Sequence, residues 1–308
     1  MCLTQNFWEL TVSGLALGSV YALIALGYTL VYGVLQLINF AHSEVFMLGG
    51  FGGLFMVQWL YPTATPSGWV SVGLVVAGIV GGAAFGGVTA FALERVAYRP
   101  LRRRGAPRLA FLISAIGASL LLLNLAGKEF DYQNVAMPQL YTSGEVFSVF
   151  GAPVTTNQLV VAGAAVVMLI GLDRLIARTR LGQGIRAVAQ DSEVASLMGV
   201  DIDKVITRTF VIGGILGGVA GFLFGIQFGV QYNMGFAAGV KAFTAAVLGG
   251  IGNVRGAVLG GLLLGVAENL GVACIQSSWR DVVAFLILVA ILMLRPTGLL
   301  GERLGRHA

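Results

Sequence analysis

Apolar runs of helix-spanning length recur along this chain from end to end, separated by polar breaks. A ~30 Å hydrocarbon core takes about 20 apolar residues per crossing. On that measure the runs predict spans at about 10–35, 43–60, 69–93, 109–126 and 158–177, then 209–228, 236–252, 257–274 and 281–294. The breaks differ in kind. Asn39 to Glu44 is a brief interruption, whereas Lys128 to Asn157 is a longer polar excursion and Arg178 to Arg208 is polar and charged. The predicted fold class is an all-α integral membrane protein: a polytopic helical bundle of about eight to nine transmembrane segments with interrupted or re-entrant helices. Residues 1–308 read as a single transmembrane domain, with no room for a separate soluble one.

Composition agrees with this pattern. The 308 residues are 57% hydrophobic and 11% charged, where soluble domains are about 25% charged. The 45 glycines sit inside the apolar runs rather than in linkers, as small residues do where membrane helices approach closely. No Lys or Arg precedes the first apolar run, so that run is expected to stay in the protein rather than to be cleaved as a signal peptide.

Charge adds an orientation. Arg95, Arg99, Arg102, Arg103, Arg104 and Arg108 lie between the third and fourth spans; Arg174, Arg178, Arg180, Arg186, Lys204 and Arg208 flank the loop after the fifth; Arg295, Arg303 and Arg306 form the tail. The connection Tyr61 to Gly68 has no basic residue and the excursion has only Lys128. Lys/Arg-rich short loops are cytoplasmic, so the clusters face in and the excursion faces out. The net charge of +5 thereby follows membrane topology rather than nucleic-acid binding. An outer N-terminus and an inner C-terminus require an odd number of crossings, hence nine, unless 236–252 is re-entrant and another boundary also differs.

Several chemistries find no support. Cys2 and Cys274 match no metal or redox spacing, and no cofactor site is expected. The one Gly-Lys pair, Gly127-Lys128, has Leu122 where a phosphate loop needs its first Gly, and neither a nucleophile elbow nor His-Glu-x-x-His occurs. The chain reads as a non-enzyme. There is also a faint internal echo, Leu48-Gly49-Gly50-Phe51-Gly52 against Leu248-Gly249-Gly250-Ile251-Gly252, of the kind that internal repeats leave in transporters.

Four segments carry candidate function. In the first, Leu181 to Asp203, Ile185, Val188, Ala195 and Met198 recur at roughly helical intervals, which predicts one amphipathic helix at the cytoplasmic face. Within it Glu193, Ala195 and Gly199 have the Glu-x-Ala-x-x-x-Gly spacing, which resembles the coupling motif of ABC-importer permeases, although the downstream Ile-x-Leu-Pro is absent. The second segment is Leu37-Ile38-Asn39-Phe40-Ala41-His42-Ser43-Glu44. The third runs from Lys241-Ala242-Phe243-Thr244 through Gly249-Gly250-Ile251-Gly252-Asn253 to Gly265, and the fourth is Leu294-Arg295-Pro296-Thr297-Gly298-Leu299-Leu300-Gly301. In this order, over nearly the whole chain, they resemble the branched-chain amino-acid permease family of ABC importers, its Liv H-type branch. The family usually reads His-Gly-Glu where this chain has His42-Ser43-Glu44. Urea and short-chain amide permeases share much of the pattern.

The residues themselves leave choices open. Asn39, His42 and Glu44 are expensive in lipid and belong beside a polar path, or they cap a helix at the interface, Asn39 being a competent N-cap. Lys241 and Glu268 form an internal ion pair, or Lys241 snorkels to the interface. The resemblance implies a bacterial inner-membrane permease subunit without catalytic residues. It implies as partners a second permease, two cytoplasmic ABC ATPases and an extracytoplasmic binding protein. Coupling to the ATPase then falls to Arg186, Asp191, Glu193, Ala195, Met198 and Gly199, and the translocation path to Asn39, His42, Glu44, Lys241 and Glu268. The rival from another class is a stand-alone secondary transporter or channel using Glu44, Glu268 or Lys241.

Overall fold

The computed structural model describes residues 2–61, 68–130, 132–141, 144–273, 279–295 and 297–301. The expectations placed on Cys274, Pro296, Arg303 and Arg306 lie outside these residues, as does the side chain of Cys2.

Helices dominate the described residues: α1 (Cys2–Leu35), α2 (His42–Leu60), α3 (Trp69–Leu93) continuing through a π-helical turn (Glu94–Tyr98) into α4 (Arg99–Arg103), α5 (Arg108–Glu129), α6 (Thr156–Arg178), α7 (Arg180–Gln190), α8 (Ser192–Leu197), α9 (Ile202–Phe228), α10 (Met234–Gly249), α11 (Val254–Val272) and α12 (Arg280–Leu294). Seven are long and apolar enough to cross a membrane; α10 is a shorter apolar helix, and α12 has 15 residues. The protein is a polytopic helical membrane protein. The predicted 236–252 span is α10, which is 16 residues long and reaches only about 24 Å at 1.5 Å per residue.

The helices begin where the sequence supplies acceptors for their free N–H groups. Thr155 and Gln158 form a reciprocal capping box that starts α6. Thr179, Asp191, Asp201 and Asn253 cap α7, α8, α9 and α11 through their side chains.

Close approach explains the glycine content. The central packing is α1 on α11, and α2, α3 and α9 on one another. A Cβ at Gly218 of α9 would collide with the carbonyl of Gly82 in α3, and one at Gly265 of α11 with the backbone of Gly14 and Gly18 in α1. These helices touch backbone to backbone, a contact open only to glycine. By contrast α5 and α6 lie at the periphery with most of their apolar surface turned outward.

The excursion between α5 and α6 is not all loop. It holds an antiparallel hairpin, β1 (Glu145–Val149) and β2 (Ala152–Thr155), closed by Phe150 and Gly151 with φ of 49° and 83°. Left-handed φ at both central positions matches the twist of a two-residue hairpin turn. Phe150 stacks on Trp8 of α1 with centroids 4.5 Å apart, and Gln158 donates to the Ser13 hydroxyl at 3.0 Å. The N-terminus and the excursion therefore share one end of the bundle.

The basic residues gather at the other end. Arg99, Arg102 and Arg103 all pair with Asp203 at the start of α9. The segment after α12 arrives there too, Leu299 and Leu300 donating their N–H groups to the carbonyls of Leu248 and Gly249 at the end of α10.

Three expectations need correction. Most of the basic residues 95–108 are helical rather than loop, because α3 runs on through the π turn to Arg103. The helix expected from Thr209 begins at Ile202, seven residues earlier, since Asp201 caps it there. The glycine echo is not a structural repeat: Gly49, Gly50 and Gly52 lie within α2, whereas Gly250 and Gly252 take φ of 104° and 96° in the turn that ends α10.

Candidate functional site

At the basic end, α7 and α8 form an elbow. The single amphipathic helix expected from Leu181 to Asp203 is instead two, broken at Asp191, whose extended backbone stops α7 and whose carboxylate accepts from the N–H groups of Glu193 (2.8 Å) and Val194 (3.0 Å). Ile185, Val188 and Ala195 are buried in a second apolar cluster with Val205, Ile206 and Phe210 of α9. Met198 is not with them. It is 80% exposed, beside Leu197 at 86% and the exposed Val194, because the break rotates it off the buried face. Glu193 lies on the exposed side. Gly199 ends the elbow at φ 84° with open space around it, a conformation that favours glycine. Arg186 ties α7 to the bundle by donating to the Ile176 carbonyl of α6.

An ionic lattice that the sequence reading missed braces the elbow's exit. Arg102 donates to Asp203 Oδ1 at 2.6 Å and to Glu94 Oε1 at 3.0 Å, and Thr207 donates to Glu94 Oε2 at 3.0 Å. Glu94 is fully buried. A carboxylate so buried needs its charge compensated, and Arg102 does that while locking the π turn to α9. The available signal was an acid at the end of an apolar run with Arg eight residues on. At the elbow's boundary, a hydrogen bond from Lys204 holds the Asp201 carboxyl below its ordinary range.

The second place is the break before α2. Asn39 does not cap the helix. The N-cap position is Ala41, with no side-chain cap, and Asn39 Oδ1 instead accepts from the Tyr98 hydroxyl at 2.6 Å. His42 and Glu44 are buried in the first turn of α2. His42 sits edge-on to Tyr28 at 4.8 Å, against Gly27 and Gly217, and its Nε2 has no partner among the described residues. Glu44 Oε1 accepts from Ser119 at 3.1 Å, while Oε2 has no hydrogen-bond partner among the described residues. Ser43 fits without strain. It is helical, its hydroxyl donates to the Phe40 carbonyl at 2.7 Å, and α10 makes room for it with Gly235 and Gly239.

The third place joins α10, α11 and α12. Lys241 does not snorkel: its Nζ lies 2.8 Å from Glu268 Oε1 and 2.8 Å from Asp281 Oδ1. Arg280, which the sequence reading did not single out, reaches Glu268 Oε1 with Nε at 3.4 Å and donates to Asn269 Oδ1. Glu268 is fully buried. Lys241 and Arg280 also line a cavity of about 330 Å³ whose other walls come from α1, α9 and the α9–α10 link. That link is held to the excursion by the mutual backbone pairing of Val230 and Val135, so the cavity lies towards the end away from the basic clusters.

The structure thus brings Lys241 to Glu268, while His42 and Glu44, both in the first turn of α2, meet different neighbours: Tyr28 and Gly217 for one, Ser119 for the other. No group of metal-binding side chains occurs among the described residues. The arrangement offers buried polar groups in a helical bundle and an exposed apolar elbow.

Residues 10–292 match the family model described as branched-chain amino acid transport system / permease component. The chain is 43% identical over 300 residues to the high-affinity branched-chain amino acid transport system permease protein LivH of Escherichia coli, covering 96% of each chain. It is 44% identical over 302 residues to the permease protein BraD of Pseudomonas aeruginosa, again over 96% of both. With a helical membrane bundle and near full-length agreement, this chain belongs to the family of branched-chain amino acid transport system permease components.

Proposed function

We propose that residues 1–308 form one permease domain of an ABC importer that moves branched-chain amino acids inward across the bacterial inner membrane. A second permease subunit completes the membrane core, two cytoplasmic ABC ATPases drive it, and an extracytoplasmic binding protein delivers the substrate. The observation that carries this reading is the elbow: Val194, Leu197 and Met198 face outward at the basic end, on a short helix whose opposite side is anchored by Ala195. Exposed apolar side chains on a rigidly held projection mark a docking surface, and the positive-inside bias puts it in the cytoplasm.

Force applied there has a route inward. The elbow packs on α9, the Arg102–Asp203–Glu94 lattice couples α9 to the π turn of α3, and α9 passes His42 at Gly217. A rigid-body shift of α9 would therefore be felt at the polar break before α2. That is what alternating access needs: one packed element whose displacement opens one side of the path and closes the other. Arg186, Asp191, Glu193, Ala195, Met198 and Gly199 serve the coupling, and Asn39, His42, Glu44, Lys241 and Glu268 the path.

Reconstitution tests this. With ATPase and binding-protein partners in liposomes, leucine uptake is expected to need ATP, and Leu197→Glu is expected to abolish it while the subunit still accumulates in the membrane. Gradient-driven uptake by the lone chain would instead establish a secondary transporter. Transport of urea or short-chain amides in preference to amino acids would move the substrate assignment to the related permeases.

A further inference from the structure

The cavity between α1, α9, α10 and α12 has two unlike walls. Leu17, Phe224, Phe228 and Met234 give it an apolar side, and Lys241 and Arg280 give it a cationic one. Its volume of about 330 Å³ is at the small end of ligand pockets, a size for one small solute. The two cations are not equally committed. Lys241 Nζ is held between two carboxylates at 2.8 Å each. Arg280 uses Nε and Nη2 on Glu268 and Asn269 and keeps its other terminal nitrogen without a partner among the described residues. The guanidinium, fixed by Glu268 and Asn269, is thus pre-oriented with donors to spare at the rim of an apolar hollow. Planar, fixed donors of this kind suit a carboxylate.

From this geometry we infer that the cavity is an entry subsite for a small apolar amino acid, with Arg280 receiving the α-carboxylate and the wall of Leu17, Phe224 and Phe228 receiving the side chain. Glu268 is a positioning residue: fully buried, it holds Lys241 and Arg280 on the cavity wall. The inference rests on the importer reading above and deepens it, because urea and amides offer no carboxylate. It also gives the cavity its place in the sequence of events, since the hollow lies at the end of the bundle where a delivering protein would release its ligand.

The test uses the reconstituted importer with Cys2→Ser, Cys274→Ser and Ala237→Cys, so that one thiol lines the cavity. Leucine and 3-methylbutylamine, the same side chain without the carboxylate, are compared as protectants against a neutral maleimide. Protection by leucine and not by the amine is expected. Arg280→Gln should raise the leucine concentration needed for protection at least about tenfold, the loss of one charge-assisted hydrogen bond, while unprotected labelling stays at the parent rate. Equal protection by the amine, no protection by leucine, or protection unchanged in Arg280→Gln would overturn the subsite. Because ATP-dependent leucine uptake is measured in the same liposomes, its persistence in any of those cases keeps the importer reading standing, and its absence in the parent would sink that reading too.

Discussion

Single residues in this bundle are held by charge and hydrogen-bond pairing between helices. Lys241 and Glu268 are the strongest case. Breaking a buried pair by removing one partner costs about 3–5 kcal/mol where the other charge is left alone; here Arg280, at 3.4 Å from Glu268, offsets part of that. Lys241→Met is therefore expected to lower the thermal stability of the detergent-solubilised protein strongly, and Lys241→Met with Glu268→Gln to recover most of the loss. A double variant as unstable as the sum of the singles would show that the pair is not coupled. Tyr98→Phe is milder: it strips Asn39 Oδ1 of its 2.6 Å donor and should cost about 1–3 kcal/mol, read by the same melt. The sequence showed that Asn39, His42, Glu44, Lys241 and Glu268 were out of place in lipid. It did not show their partners, because Tyr98, Ser119 and Arg280 lie 59, 75 and 12 positions from the groups they meet (Asn39, Glu44 and Glu268), and no local periodicity links them.

Elements are set by two different rules. Their ends follow short-range chemistry: Thr155, Thr179, Asp191, Asp201 and Asn253 each cap the helix that begins at the next residue. Their packing follows glycine placement, which is meaningful only once neighbours are known. Gly218→Leu is expected to prevent α2, α3 and α9 from closing, since even a Cβ there meets the Gly82 carbonyl; the readout is loss of a monodisperse folded species on gel filtration. Gly117→Ala, on α5 with open space around it, should be tolerated and even stabilise the helix by about 0.5–1 kcal/mol. Similar damage from both would refute the close-packing account. The elbow shows the same division. The spacing of Ile185, Val188, Ala195 and Met198 resembled one continuous helix, but Asp191 acts as the N-cap of a second, and only the tertiary contacts with α9 show which residues remain buried.

At the scale of the whole molecule, the two ends of the bundle are chemically distinct. One gathers Arg95 to Arg104, Lys204 and Arg208 beside the elbow; the other carries the hairpin, the N-terminus and the mouth of the cavity. The topology predicts that Phe150→Cys reacts with a membrane-impermeant thiol reagent in intact spheroplasts, and that Leu197→Cys reacts only in inverted vesicles, each on a background lacking Cys2 and Cys274. The reverse pattern would invert the orientation and, with it, the assignment of the elbow to an ATPase.

The amino-acid sequence by itself determined the solvent and the rough placement of the apolar helices. Those properties depend on local composition, which every 20-residue window carries. It also marked the polar residues that have no business in lipid. Tertiary structure alone decided that Glu268 meets Lys241 and Arg280, that Glu94 meets Arg102, and that a cavity opens between α1, α9, α10 and α12. These depend on which helices touch, and that is settled by backbone contacts at Gly14, Gly18, Gly82, Gly218 and Gly265 whose meaning appears only when the partner helix is in place.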